Sequence, residues 1–232
     1  MEQRFGLIIV AAGRGTRMGT RESKQFLMLE DKPVIVHTLE RFEAMPECAA
    51  IALVTAPQDH ARCAAWIAEY GLQKVTDVVA GGAERQHSVY AGLQAIQQRG
   101  LDYVLIHDGV RPFVERDKVI ACFDAARQYG AAVLAVPVKD TIKQVNGDGV
   151  ITATPDRRSL WAIQTPQAFR LSDVIRAHEH AQEQQVLGTD DAMLVERMGQ
   201  LVHVVEGDYT NVKLTTPDDL DLALWNLSKR KS

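Results

Sequence analysis

Phe5-Gly-Leu-Ile-Ile-Val-Ala-Ala12 runs directly into Gly13-Arg-Gly15, and the reading of that junction decides the fold. The run is short, unbroken and rich in branched apolar side chains, which predicts a strand buried on both faces and stopped by the glycines. Similar runs recur at 51–55, 75–80, 103–107, 131–136 and 202–205. Between them apolar residues take helical spacing: Ile35, Leu39 and Phe42 follow Pro33, which fits a first helical turn, and Val89, Leu93 and Ile96 repeat the pattern. Thr216-Pro-Asp-Asp219 supplies a capping hydroxyl, a first-turn proline and an acid three residues on, and so predicts a closing helix through Leu220, Ala223, Leu224 and Leu227. Strand and helix in alternation predict an α/β fold, a single Rossmann-like, mostly parallel sheet with helices on both faces, because parallel neighbours need crossover connections. Ligands on such a sheet bind beyond the carboxyl ends of its strands.

One stretch breaks the alternation. Positions 138–154 form two partly alternating runs around Asn146-Gly-Asp-Gly149, which predicts a β-hairpin arm. With few large apolar residues it is no core element, so it lies over the site or packs on another subunit. The chain has 232 residues, 46% hydrophobic and 24% charged, in the range of one globular domain, 1–232. No run of about 18 apolar residues offers a membrane span, and the amino end shows no small-residue cleavage site, so a cytoplasmic location is expected. Cys48, Cys63 and Cys122 are odd in number and widely spaced, which points to reduced packing residues and not to disulfides or a zinc site. A formal net charge of −4 argues against a nucleic-acid surface. Any anionic ligand must be held by local cations.

Such cations follow the first strand. Arg14, Arg17, Arg21 and Lys24 face only Glu22 within a dozen residues, and glycines there let backbone N–H groups approach a phosphate. The loop lacks both the G-x-G-x-x-G spacing with its ribose-binding acid and the G-K-[ST] of a Walker loop. It reads as a polyphosphate cradle or as a solvated cationic loop. His107-Asp-Gly-Val-Arg111-Pro112 ends the fourth strand, where a carboxylate and a guanidinium serve Mg²⁺ and a phosphate or hydroxyl, or simply tie down a loop. Gly81-Gly-Ala-Glu-Arg85 with Ser88 opens a helix after the third strand and either reads a base edge or only turns the chain.

The order of motifs narrows these alternatives. A-A-G-x-G-x-R-M with Lys24-Gln-Phe, G-G-x-E-R-x-x-S, H-D-x-x-R-P, P-V-x-D-T, D-R, L-W-x-x-x-T-P-Q and V-E-G with N-V-K-L-T succeed one another over essentially the whole chain. In this the sequence resembles the 2-C-methyl-D-erythritol 4-phosphate cytidylyltransferase family. The resemblance implies a fold of the nucleotide-diphospho-sugar transferase type and CMP transfer from CTP to a polyol phosphate. It also implies Mg²⁺ or another divalent cation, and a homodimer joined through the arm, about 138–157. Position by position, Arg17 and Lys24 would stabilise the triphosphate and transition state. Ala11, Ala12, Gly13, Gly15, Gly82 and Ser88 would contact CTP. Asp108, Arg111, Thr165 and Lys213 would surround methylerythritol phosphate, Asp108 also being the candidate metal ligand, while Thr141 and Arg157 would reach the partner subunit's substrate. Ala83 departs from the family, many of whose members carry an aspartate there to help read cytosine. A ribitol-5-phosphate cytidylyltransferase tends instead to read L-A-G-G at the first loop and to lack the P-V-K-D-T form; a non-catalytic nucleotide sensor is the alternative from another class.

Overall fold

The computed structural model describes residues 3–13 and 22–230. The chain opens with β1 (Phe5–Val10), pairs the short strands β2 (Met28–Leu29) and β3 (Lys32–Pro33), and then alternates. In turn come α1 (Val34–Glu43), β4 (Cys48–Thr55), α2 (His60–Glu69), β5 (Val75–Ala80), α3 (Arg85–Gln97), β6 (Tyr103–Asp108), α4 (Arg116–Tyr129) and β7 (Ala131–Pro137). After the arm strands β8 (Gln144–Val145) and β9 (Ile151–Ala153) follow β10 (Trp161–Arg170), α5 (Leu171–Glu183), α6 (Asp191–Arg197), β11 (His203–Glu206) and α7 (Pro217–Arg230).

Among the described residues the main sheet has seven strands, ordered β11-β7-β10-β6-β1-β4-β5. Parallel pairing joins β6, β1, β4 and β5, and also β7 and β11. Only β10 is antiparallel to its neighbours, wedged between β6 and β7, so the sheet is mostly parallel as expected. The wedge itself was not expected, because Pro166 and three polar residues in its middle argue against a central strand. The chain accommodates them with a register shift between Ile163 and Gln167.

The unbroken run of β1 is explained by what covers each face. Leu7 and Ile9 pack with Leu39 and Phe42 of α1, Cys63 of α2 and Phe123 of α4. Ile8, pointing the other way, packs with Val89, Leu93 and Ile96 of α3, Val174 of α5 and Leu194 of α6. Each such aliphatic or aromatic side chain contributes about 1.5–3 kcal/mol when fully buried. The second face is drawn close by Gly92, where a Cβ would come 2.7 Å from Ile8 Cγ2.

Helix starts mostly follow the sequence. Pro33 differs from expectation in sitting outside α1 as its cap, with φ −61° and ψ 145°, since it is already paired in β3. Asp219 Oδ2 accepts the backbone N–H groups of Thr215 and Thr216, each at 2.8 Å, and so caps α7 as the motif predicts. In the arm, β8 and β9 pair antiparallel, and Asn146 Oδ1 accepts the N–H groups of Asp148 at 3.1 Å and Val150 at 2.9 Å. The turn closes through Gly149 at φ +81°. The paired segments are shorter than the predicted runs, and Ile142, Val145, Val150 and Ile151 are exposed along them.

Candidate active site

The carboxyl ends of β1, β5 and β6 meet at one edge of the sheet and carry the first cavity, of about 190 Å³. Buried Gln25 pins the exit of β1, donating from Nε2 to the carbonyls of Ala11 at 2.7 Å and Gly13 at 3.2 Å. That bond sets neighbouring Lys24 in the cavity wall. The exit of β5 passes so close that a Cβ on Gly81 would overlap Ala12 Cβ, which only glycine avoids. Ser88 Oγ accepts the Gly82 N–H at 3.1 Å and donates to the Glu84 carbonyl at 3.2 Å. Its hydroxyl is therefore already used in closing this turn, and Gly82, Ala83 and Glu84 present the wall ahead of α3. The helix begins there without a side-chain cap, an arrangement that favours acceptor groups on a ligand.

A second cavity, of about 320 Å³, adjoins the first along a shared wall of Arg85, Asp108 and Lys213. Its other residues include Arg111 and, from β10, Gln164, Thr165 and Gln167. The polar centre of β10 is thus the floor of a site. Thr165 Oγ1 accepts the backbone N–H of Asp108 at 3.0 Å. Buried Asn211 donates to Gln164 Oε1 at 3.1 Å and the Thr165 carbonyl at 2.9 Å, while its own carbonyl accepts Arg111 Nη1 at 2.7 Å. These bonds fasten the segment that carries Lys213 to β10 and β6.

Asp108 is the hub of the wall. Its Oδ2 lies 2.8 Å from Lys213 Nζ and 3.5 Å from Arg111 Nε, and its Oδ1 lies 3.8 Å from Arg85 Nε. Burial alone would raise its pKa, but Lys213, Arg85 and Arg111 hold the carboxyl well below the usual range. It is a fixed anion, unable to serve as a base near neutrality. Neighbouring His107 is fully enclosed, with Nε2 donating to the Arg111 carbonyl at 3.1 Å. Burial pushes its pKa down to about 4, so it too is structural. Among the described residues no group of three His, Cys, Asp or Glu side chains converges on a metal position. A divalent ion fits this donor set only as the ion carried by a triphosphate, with Asp108 as a single protein carboxylate.

The structure brings Ala11, Ala12, Gly13, Lys24, Gly82, Ser88, Asp108 and Lys213 to the first cavity, and Asp108, Arg111, Thr165 and Lys213 to the second. Gly15 and Arg17 lie outside the described residues. Thr141 and Arg157 are exposed and line neither cavity; Arg157 Nη1 donates to the Lys139 carbonyl at 2.7 Å. Sequence reasoning passed over Arg85, Gln164, Gln167 and Asn211. All four lie inside quoted motifs, and Arg85 had a further signal as the first residue of a helix opened by a glycine turn.

Comparison with known proteins bears on this geometry. A family model described as IspD, 2-C-methyl-D-erythritol 4-phosphate cytidylyltransferase, matches residues 5–229. A protein of that name from Geobacillus kaustophilus is 53% identical over 226 residues, covering 97% of this chain and 98% of the relative. A solved 4-diphosphocytidyl-2C-methyl-D-erythritol synthase from Anaerococcus prevotii superposes with a TM-score of 0.85 at 31% identity, covering 97% of this chain and 96% of that one. The Thermus thermophilus 2-C-methyl-D-erythritol 4-phosphate cytidylyltransferase gives a TM-score of 0.78 at 32% identity, covering 95% and 98%.

Proposed function

The chain belongs to the 2-C-methyl-D-erythritol 4-phosphate cytidylyltransferase family and transfers CMP from CTP to that polyol phosphate, and we propose that it does so across the Arg85–Asp108–Lys213 wall. CTP takes the first cavity, with its triphosphate toward Lys24. Methylerythritol phosphate takes the second, against Arg111 and Thr165. The observation that carries this reading is that one carboxylate and its lysine border both cavities.

In the transfer, a phosphate oxygen of the polyol phosphate forms a bond to the α-phosphorus of CTP as the bond from that phosphorus to the bridging oxygen breaks. Pyrophosphate leaves. The nucleophile is already anionic near neutral pH, which agrees with a site whose enclosed acid and histidine are both unsuited to take a proton. The barrier is repulsion between two polyanions, and it is lowered by fixed cations and by positioning. Lys213 draws the two phosphates together, Lys24 and Arg17 stabilise the triphosphate, and Asp108 holds Lys213 in place. Asp108, the one carboxylate in this wall, would help hold a divalent ion brought in with CTP, which would supply further charge neutralisation.

We read 1–232 as one catalytic domain acting as a homodimer. Exposed Ile142, Val145, Val150 and Ile151 on the arm support a second copy as its packing partner, and exposed Thr141 and Arg157 would then serve the partner's cavity. No helix among the described residues is long and apolar enough to cross a membrane, and all three cysteines are free and buried, which supports a cytoplasmic setting. The test is a pyrophosphate-release assay crossing each nucleoside triphosphate with methylerythritol, ribitol and sugar phosphates. Release only from CTP with methylerythritol phosphate is expected; release with ribitol phosphate, or binding of CTP without release, would overturn the assignment.

A further inference from the structure

Behind the shared wall lies a buried carboxylate–histidine pair that touches neither cavity. Asp191, the first residue of α6, is 1% exposed, and each of its carboxylate oxygens has a partner. Oδ1 lies 3.1 Å from His178 Nε2 on α5, and Oδ2 accepts Arg85 Nη1 at 2.8 Å. His178 is itself buried, and the ring of Tyr90 from α3 stacks on it with centroids 6.1 Å apart and planes at 16°. The start of α6 is fixed independently. Asp190 accepts the Met193 N–H at 2.9 Å and Gln167 Nε2 at 2.8 Å, and Gln167 Oε1 accepts the Ala192 N–H at 3.1 Å. A carboxylate taken wholly out of water is costly unless paired, so this pair needs an explanation. A tie between α3, α5 and α6 would be satisfied by apolar packing, and it would not need a guanidinium that emerges in both cavities.

Arg85 does emerge there. A guanidinium carries five N–H donors in one plane. Asp191 takes a donor on the inner side, while Asp108 stands 3.8 Å from Nε, an ion pair too long to be a hydrogen bond. The cation is thus gripped from behind and turned toward the place where the two phosphates meet.

We infer that Arg85 contacts the reacting phosphates as a further cation of the transfer, and that the buried His178–Asp191 pair is the positioning device that aims it. The inference rests on the assignment of the two cavities to CTP and the polyol phosphate. Asp191 acts through Arg85 and His178 through Asp191; neither meets substrate.

The test uses steady-state pyrophosphate release by the full chain, with thermal unfolding as a check on folding. Arg85→Lys keeps the charge but cannot both pair with Asp191 and face the phosphates. Its turnover should fall roughly 10- to 100-fold while KM for CTP stays within about threefold. Asp191→Asn should lower turnover to a similar degree in the wild-type background and have little further effect in the Arg85→Lys background, since it acts through that residue. If Asp191→Asn does not fold, His178→Gln, whose amide can still donate to Asp191, takes its place in the cycle with a smaller loss. Near-normal turnover of Arg85→Lys overturns the inference, as does an Asp191 or His178 effect of equal size in both backgrounds. Lys213→Ala run in parallel separates the two levels: if it loses turnover while Arg85→Lys does not, only this inference fails, and if both are near normal the cavity assignment fails with it.

Discussion

Lys213 Nζ stands 2.8 Å from Asp108 Oδ2, joining the loop after β11 to the carboxyl end of β6. The lysine is exposed and the acid buried, so the acid is the fixed point and the lysine the adjustable one. Replacing Asp108 by Asn keeps the shape but removes the anion that orders Lys213, Arg111 and Arg85. Turnover should fall by about 10²-fold or more, measured as pyrophosphate release at saturating substrates. Unchanged turnover would reduce the pair to a loop tie.

His107 gives a pH signature of the fold. Its folded pKa is lowered to about 4 by burial, whereas in the unfolded chain it sits near 6.5. Above pH ~6.5 the ring is neutral in both states. As pH falls from there toward 4, only the unfolded chain gains a proton, so stability is lost across that window, by an amount on the order of 3 kcal/mol. Urea unfolding at stepped pH should show this loss in the wild-type chain. A volume-matched neutral replacement, His107→Gln, should flatten it, and an equal slope in both would exclude His107 as the cause.

Gly81 is the point where the exits of β1 and β5 touch. In Gly81→Ala the added methyl overlaps Ala12, and relieving it must part the two loops that wall the first cavity. An overpacked contact of this kind costs about 1–3 kcal/mol. CTP affinity, measured by calorimetry, should drop roughly 10-fold or more, with a modest loss of thermal stability. Full affinity would show that the loops can part without harm to the nucleotide site.

The arm can be tested by complementation. If Arg157 serves the partner's cavity and Lys213 its own, Arg157→Ala and Lys213→Ala proteins are each impaired, yet a mixed dimer contains one site with both native residues. Mixing and re-equilibrating the two inactive variants should restore activity that neither has alone. If the arm joins two copies, sedimentation should show Ile151→Glu shifting dimer toward monomer. No recovery on mixing, with dimers present, would place both residues in the same site or remove Arg157 from the mechanism.

Much of this was legible in the chain. The branched run before Gly13 needs burial on both faces, and Leu7, Ile8 and Ile9 receive it. Thr216 and Asp219 announced a helix start and form one. The arm was marked by its glycine-rich turn. Illegible was β10, because Gln164, Thr165, Pro166 and Gln167 contradict the pattern of a central strand. They are tolerated because Asp208 and Asn211 satisfy the Gln164 amide, the Asp108 N–H meets the Thr165 hydroxyl and Asp190 accepts from Gln167. The tie of Arg85 to Asp191 and His178 was illegible for a related reason: no local spacing links residues that only the packing of α3, α5 and α6 brings together.

The most direct measurement of the central claim, that cations lining two adjoining cavities let two phosphates meet, is turnover of Lys24→Ala and Lys213→Ala with CTP and methylerythritol phosphate. Both variants should retain the native circular dichroism spectrum and lose about 10²-fold or more in pyrophosphate release. Folded variants that turn over at near the wild-type rate would contradict it.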